Sequence, residues 1–196
     1  MAGKRPTVLL HVCCGPCSTT VLERLLPRYE VVLYFANCNL DTREEYNRRL
    51  EAARRVAAEH DLPLYAAEYD HDRWLRAVSG LEWEKEGGAR CDVCFRYRLE
   101  QAAAEAKARG LDTFTTTLTI SPHKDAAGVA RAGRLGAMKH GVTYLEEDFK
   151  KRDGFRKSVA RSRDLGLYRQ SYCGCEFSRR DREVPRDRKR RPKTKP

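Results

Sequence analysis

The sequence predicts one α/β domain built on a doubly wound, mostly parallel sheet. Short runs of β-branched and aromatic residues alternate along the chain with segments that have helical apolar periodicity. A chain of 196 residues is long enough for one well-buried domain of this kind and short for two. Strands that alternate with helices pair in parallel through right-handed crossovers, so we expect ligands to bind at the carboxyl ends of the strands.

The first half of the chain is predicted to hold three strands and two helices. An apolar run at 7–10 indicates a buried strand, and a Gly-Pro step ends it before a helix at 18–26. The run at 30–35 indicates a second strand. Thr42 and Glu45 have the spacing of a capping box, and an apolar stripe continues the helix that they start to about residue 60. A short third strand is predicted at 64–66.

The second half follows the same alternation. Apolar residues on one side predict a helix at 70–79, and an alanine-rich segment from residue 95 indicates a helix that stops at Gly110. Strands are predicted at 114–119 and 142–145, and the helix between them ends at Gly141. A last core helix is predicted at 154–165.

The formal net charge of +11 is concentrated at the end of the chain. Residues 179–196 contain ten Lys or Arg and three Asp or Glu. This composition favours disorder and attraction to polyanions, although it also fits a solubilising tail. We therefore predict a domain at 1–178 and a disordered basic tail at 179–196.

The sequence shows neither a membrane span nor a signal peptide. No apolar run approaches the roughly 18 residues that cross a bilayer, and the first residues lack an apolar signal core. We therefore expect a cytoplasmic protein with no membrane partner. Cellular thiols keep cysteines reduced in that compartment, so the eight cysteines indicate metal ligation or redox chemistry rather than structural disulfides.

Most of the cysteines fall into three groups along the chain. The groups are Cys13, Cys14 and Cys17 at the first strand-to-helix turn, Cys91 and Cys94 at the start of the alanine-rich helix, where one helical turn brings both onto one side, and Cys173 and Cys175 near the end. The first two groups provide the four or five thiolates that an iron-sulfur cluster or a zinc site needs. The adjacent thiolates of Cys13 and Cys14 would crowd one small ion but can bind separate irons, which favours a cluster over zinc.

The remaining candidates allow more than one interpretation. One glycine separates Cys173 from Cys175 and lets their sulfurs approach each other, which indicates a redox-active pair; two further metal ligands or two free thiols are the alternatives. Cys38 stands alone, and lone cysteines are usually buried. His123 and Asp125 follow a predicted strand and could face the same rim as the cysteines, but a helix cap explains Asp125 equally well.

Taken in order, these motifs resemble the QueH-type epoxyqueuosine reductases, which work without cobalamin and complete queuosine at the wobble base of certain tRNAs. The resemblance covers nearly all of the chain up to Ser178. It is carried by six segments at 11–18, 44–46, 90–99, 116–125, 148–151 and 168–175. Each segment alone is a weak signal, whereas the six in this order are specific.

The resemblance implies a cofactor and site residues. It implies a 4Fe-4S cluster bound by Cys13, Cys14, Cys91 and Cys94. Cys17 is the alternative ligand for one of the first pair, and an additional iron is left open. The resemblance also implies a redox-active disulfide between Cys173 and Cys175, with Asp125 as a further ligand or acid.

The resemblance further implies a fold and partners. The family's fold resembles the Rossmann-like, HUP-like fold of the tRNA-thiolating ATP pyrophosphatases, with the cysteine turn in place of their phosphate loop, so we expect no ATP use. The implied partners are a tRNA carrying epoxyqueuosine and an external electron donor. The chain departs from the family pattern at Cys38, where proline is usual, and after Ser178. The alternatives are a zinc-stapled RNA-binding module and a thiol-disulfide oxidoreductase that uses Cys173 and Cys175 alone.

Overall fold

The computed structural model describes residues 5–183, and these residues form an α/β fold around a five-stranded parallel sheet. The strands are β1 (Thr7–His11), β2 (Glu30–Phe35), β3 (Leu64–Ala66), β4 (Thr113–Thr116) and β5 (Thr143–Tyr144). Their order in the sheet is β3-β2-β1-β4-β5, and every pairing is parallel. The predicted fold class is confirmed, and each strand lies within one or two residues of its predicted place except at the end of β4.

Seven helices cover the sheet in the described part of the chain. They are α1 (Gly15–Leu25), α2 (Arg43–Glu59), α3 (His71–Ala77), α4 (Ala89–Ala108), α5 (Ala126–His140), α6 (Gly154–Asp164) and α7 (Glu176–Glu183). The Thr42 side chain accepts a hydrogen bond from the Glu45 N–H at 3.1 Å, as the capping spacing predicted. Gly141 ends α5 with φ +64°, a left-handed conformation that favours glycine. No described helix is long and apolar enough to cross a membrane.

The core lies on both faces of the sheet because alternate residues of a strand point to opposite faces. In β1, Val8 and Leu10 join the apolar cluster that packs against α1 and α2. Leu9 joins the cluster formed with α4 and α5 on the other face. All three side chains are fully buried, which explains why β1 reads as a continuous apolar run.

The order of the strands in the sheet determines where a ligand can bind. The central strand β1 pairs with β2 on one side and with β4 on the other, so the direction of the strand order reverses between β1 and β4. The turns that follow these two strands face the same crevice, which is where open α/β sheets bind ligands.

Three features differ from the prediction. Helix α1 begins at Gly15 rather than at residue 18. β4 ends at Thr116 and continues as a 3-10 turn, Thr117–Ile120, because the Thr116 hydroxyl oxygen accepts a hydrogen bond from the Leu118 N–H at 3.1 Å. Helix α7 was not predicted. By contrast, α4 begins at Ala89, so Cys91 and Cys94 lie in its first turns, at the helix start that their spacing predicted.

Helix α7 crosses the predicted domain boundary at Ser178. The prediction of a disordered tail is therefore wrong for residues 179–183, which are helical. Phe177 of α7 is buried in an apolar cluster with Trp74 of α3, and the Arg180 guanidinium donates to the carbonyl oxygen of Glu82 at 2.9 Å, so this part of the basic segment is held by the domain. The rest of the predicted tail lies outside the described residues, and the two-part division stays a prediction.

Candidate active site

The turn between β1 and α1 brings three sulfurs together. The Cys13, Cys14 and Cys17 sulfurs all lie within 4.8 Å of one another, and those of Cys13 and Cys14 are 3.9 Å apart. Gly15 permits this turn to press against α2, because a Cβ at that position would stand 2.4 Å from the carbonyl oxygen of Ala52. The thiols occupy the start of α1, whose free N–H groups favour thiolate.

The three thiols of this turn ionise unequally. Hydrogen bonds from Cys14 and Cys17 hold the pKa of Cys13 well below its ordinary value. The hydrogen bond with Cys13 raises the pKa of Cys14 to about 12, and the same contacts raise the pKa of Cys17 above its usual range. The Thr117 hydroxyl donates to the Cys13 sulfur at 3.2 Å, and the Gln170 amide donates to the Cys14 sulfur at 3.3 Å. Cys13 is therefore the most readily ionised thiol of the turn, and polar groups of the protein donate hydrogen bonds to the sulfurs of Cys13 and Cys14.

The second cysteine group lies in the first turns of α4. The Gly87 N–H donates to the Cys91 sulfur at 3.2 Å. Burial raises the pKa of Cys91 to about 11 and also raises the pKa of Cys94. A charge on Cys173 raises both pKa values further, so these three thiols share one electrostatic environment. Within the described residues, Cys91 and Cys94 do not join the compact group formed by the first three sulfurs.

The Cys173–Gly174–Cys175 segment is held in place by α2. Arg49 and Glu45 form a buried ion pair at 2.6 Å, and the Arg49 guanidinium also donates to the carbonyl oxygen of Cys173 at 2.9 Å. The Tyr168 hydroxyl donates to the second Glu45 oxygen at 2.7 Å. Cys173 and Cys175 are free thiols in the structure. Their segment is thus anchored by charges that belong to a helix far away in sequence.

A cavity of about 220 Å³ joins the first cysteine group to this segment, and Cys13, Cys17 and Cys173 all line it. Its cationic lining residues are Arg49, Arg98, Lys124, Arg169 and Arg182. Among the described residues, Glu86 is the acidic side chain in the wall. The excess of positive charge favours an anionic ligand such as a nucleotide.

Lys124 lies between the two sets of thiols that line the cavity. Burial lowers the pKa of Lys124, but the charges of Cys173, Cys13 and Cys17 raise it, and the net shift is upward. Its ammonium group is therefore charged, and it faces sulfurs on both sides. A charged donor in this position can give a hydrogen bond or a proton to a ligand oxygen in the cavity.

Asp125 and His123 lie in different settings. The Asp125 carboxylate caps α5 by accepting hydrogen bonds from the N–H groups of Ala127 at 3.0 Å and Gly128 at 2.9 Å, and the side chain is 56% exposed. His123 lines the cavity, whereas Asp125 is absent from its described lining. The structure therefore supports the capping interpretation of Asp125, and its role as a ligand or acid stays a prediction.

Sequence reasoning missed Lys124, Arg49 and Gln170. Lys124 follows the same strand-end turn that selected His123, so the same argument applies to it. Arg49 follows Glu45 by four residues, which is the spacing of an ion pair on a helix. No local signal in the sequence directs Gln170 toward Cys14.

Comparison with known proteins gives the family. The model of the family described as epoxyqueuosine reductase QueH matches residues 8–181. The chain is also 41% identical over 180 residues to the epoxyqueuosine reductase QueH of Streptococcus pyogenes serotype M1, and the match covers 89% of this chain and 71% of that protein. The chain belongs to the QueH epoxyqueuosine reductase family. The QueH protein of Thermotoga maritima is 36% identical over 190 residues, which cover 94% of this chain and 97% of that protein.

Membership of the QueH family fixes the reaction. The chain is an epoxyqueuosine reductase, an oxidoreductase of the final step of queuosine biosynthesis in tRNA. The predicted family, activity and enzyme class are confirmed. The alternative of a noncatalytic RNA-binding module is excluded as the function of the chain. The Cys13, Cys14 and Cys17 group fits a metal or iron-sulfur site of this reductase.

Two solved structures share the QueH fold described here. The U34-tRNA thiolase NcsA from Methanococcus maripaludis, determined with its 4Fe-4S cluster, has a TM-score of 0.55 at 16% identity and covers 90% of this chain and 62% of that chain. The predicted subunit of a tRNA methyltransferase from Methanocaldococcus jannaschii has a TM-score of 0.53 at 14% identity and covers 79% of this chain and 74% of that chain. These likenesses confirm the predicted HUP-like fold.

Replacing Gly174 tests how tightly the Cys173–Cys175 segment is packed. Gly174 has φ +127°, and an added Cβ would stand 2.4 Å from Leu40 Cδ2 and 3.0 Å from an Arg49 nitrogen. We expect Gly174→Ala to lower the free energy of unfolding by about 2–3 kcal/mol, measured by chemical denaturation. Gly166→Ala is the matched control, because Gly166 has φ +56° but open space around it, and about 1 kcal/mol is expected there. Equal losses at both positions would contradict the close packing.

Proposed function

We propose that the chain reduces epoxyqueuosine at the wobble position of tRNA with a 4Fe-4S cluster bound by its first two cysteine groups. The proposed ligands are Cys13, Cys14, Cys91 and Cys94, with Cys17 as the alternative to one of the first pair. One observation carries the proposal: Cys13, Cys17 and Cys173 line a single cationic cavity, and the charge of Cys173 also acts on Cys91 and Cys94 in α4. The reaction is placed in the cytoplasm, where free thiols persist.

The surroundings of the first two cysteine groups fit a cofactor that is bound through thiolates. Three of these sulfurs accept hydrogen bonds from the protein. The Thr117 hydroxyl donates to Cys13, the Gln170 amide donates to Cys14, and the Gly87 N–H donates to Cys91. Hydrogen bonds of this kind favour the ionised sulfur and tune the potential of an iron-sulfur cluster. When bound, the cluster supplies single electrons and Lewis acidity at the cavity wall.

The overall reaction sets what the protein must provide. Both carbon–oxygen bonds of the epoxide break and a carbon–carbon double bond forms, and two electrons and two protons convert the oxygen to water. Lys124 lines the cavity and carries a charged ammonium that can donate a hydrogen bond to that oxygen and stabilise its negative charge, while the two protons come from the thiols described next. Arg169 and Arg182 line the same cavity and offer charge to the phosphates of the bound nucleotide.

Cys173 and Cys175 are proposed as the relay for reducing equivalents. Forming their disulfide releases two electrons and two protons, which matches one reduction of an epoxide, and an external donor then restores both thiols. Cys173 lines the cavity, and Cys175 lies buried behind it, where its sulfur accepts a hydrogen bond from the Ser178 N–H at 3.4 Å. Arg49 holds the carbonyl of Cys173 and keeps the pair beside the cavity.

Metal analysis tests the proposed cofactor. The 4.8 Å spacing of Cys13, Cys14 and Cys17 also suits one small ion, so zinc is the competing occupant. Protein purified and reconstituted without oxygen is expected to contain about four irons and four sulfides per chain and to absorb near 400 nm. Stoichiometric zinc in a colourless protein that reconstitution leaves without iron would overturn the proposal.

A further inference from the structure

The surface beside the cavity mouth carries an exposed aromatic ring. Phe155, in the first turn of α6, lines the cavity with Cys13 and Cys17 and is 36% exposed. Exposed Tyr65 and Trp83 each have a guanidinium over the ring, at 3.3 Å from Arg109 and 4.5 Å from Arg180. Among the described residues, no ring or guanidinium lies within stacking distance of Phe155. Its face is therefore available to a ligand at the cavity mouth.

The helix that carries Phe155 is unbalanced in charge. Residues 154–164 contain four Lys or Arg and one acidic residue, Asp164. Two of these bases form ion pairs, Arg156 with Asp153 at 2.7 Å and Arg161 with Glu59 at 2.7 Å. Lys157 and Arg163 form no ion pair within the described part of the chain. Their positive charge is therefore left for a ligand outside the fold.

Helix geometry places this charge beside the exposed ring. Gly154, Ser158 and Ser162 are buried, so they define the inner face of α6, which packs against α1. Arg156 and Arg163 are seven residues apart, which puts them on one face about 10 Å apart along the axis. Phe155 lies between that face and the buried one. Arg169, which is exposed, continues the positive charge into the cavity wall.

We call the surface formed by Phe155, Arg156, Arg163 and Arg169 the rim surface. We propose that the rim surface binds the tRNA strand next to the nucleotide held in the cavity, with the Phe155 ring stacked on a neighbouring base. Single-stranded RNA is recognised by aromatic rings that stack on unpaired bases and by basic side chains that contact phosphates. The inference rests on the tRNA substrate of the family and on the cavity as the active site, but not on which cysteines bind a metal.

The test measures binding of labelled tRNA to the cluster-loaded protein at several salt concentrations. Phe155→Ala is expected to raise Kd about tenfold. Phe155→Trp is expected to restore binding and to show more tryptophan quenching on RNA addition than the wild-type protein, whose tryptophans are Trp74 and Trp83. Arg163→Gln is expected to weaken binding and to reduce the salt slope by about one. Met138→Ala and Lys107→Gln are matched controls, because Met138 is 80% exposed on α5 and Lys107 is exposed on α4.

Two outcomes overturn the inference. The first is that Phe155→Ala and Arg163→Gln both bind tRNA with the Kd and salt slope of the wild-type protein. The second is that the weaker binding has a general structural cause. That cause would be indicated if Phe155→Trp did not restore binding or if Met138→Ala weakened binding to the same extent. Iron content is measured on the same samples, and the single-turnover rate at saturating tRNA is expected to be unchanged in the Met138→Ala and Lys107→Gln controls. If the wild-type protein itself binds no iron or shows no turnover, that result counts against the proposed function. The comparison of tRNA Kd values between the variants still tests the rim surface.

Discussion

The Cys173→Ser and Cys175→Ser proteins are expected to keep their iron and visible absorption and still bind tRNA, but to lose multiple-turnover reduction of epoxyqueuosine. The physical reason is that a single remaining thiol cannot form the disulfide that releases two electrons. Iron content and the conversion of epoxyqueuosine tRNA over repeated turnovers measure the two effects separately. The expected loss in multiple-turnover rate is at least about 100-fold. Within the described residues, no other two cysteines are separated by a single glycine, so no other pair can replace this relay.

The relay has a control and a rescue. Cys38→Ser is the matched control, since Cys38 is buried in the same apolar cluster as Cys94 and Cys175 and is expected to be dispensable for turnover. Dithionite is expected to restore part of the activity of the Cys173 and Cys175 variants, because a strong reductant can deliver electrons without the thiols. Full activity in either variant rules out an obligatory disulfide. Iron lost together with activity would make these cysteines ligands instead.

The Cys91→Ser and Cys94→Ser proteins are expected to lose the cluster and with it all reductase activity. A hydroxyl oxygen is a harder ligand than a thiolate and suits iron-sulfur chemistry poorly. The loss of iron affinity should exceed the roughly 10- to 100-fold cost of removing an outer hydrogen-bond partner of a ligand. Iron and sulfide per chain after anaerobic reconstitution are the measurement.

The same series includes the first cysteine group. Because the Cys13, Cys14 and Cys17 sulfurs lie within 4.8 Å of one another, serine at each position identifies which two bind the cluster. Retention of iron by Cys14→Ser and its loss in Cys17→Ser would assign Cys17 in place of Cys14. Normal iron content in both Cys91→Ser and Cys94→Ser would contradict the proposed ligand set.

Much of the fold was predictable because its signals are local. The buried strands follow apolar runs such as the one that gives Val8, Leu9 and Leu10 full burial. Helix ends follow caps, as at Thr42 and Gly141. Helix α7 escaped prediction because its composition is mostly charged, and its one large apolar side chain, Phe177, packs against Trp74 from a distant part of the chain.

The grouping of Cys13, Cys14 and Cys17 was predictable from the sequence, the residues around them were less so, and the full ligand set stays a prediction. The strand-to-helix turn and the α4 pair carry motif spacing, so Cys13, Cys14, Cys91 and Cys94 could be selected without a structure. Contacts between distant segments leave no such signal: Arg49 and Cys173 are 124 residues apart in sequence. The position of Lys124 beside both sets of thiols depends equally on the packing of the whole sheet.

The most direct test of the central claim is a single-turnover reaction of the anaerobically reconstituted protein with tRNA that carries epoxyqueuosine. The nucleosides are analysed by mass spectrometry, and the same protein stripped of iron by a chelator is run alongside. With Cys173 and Cys175 reduced to supply the two electrons, the reconstituted protein is predicted to convert about one epoxyqueuosine to queuosine per loaded chain, whereas the stripped protein converts none. Equal conversion by the stripped protein, with Cys173 and Cys175 reduced, would contradict the account.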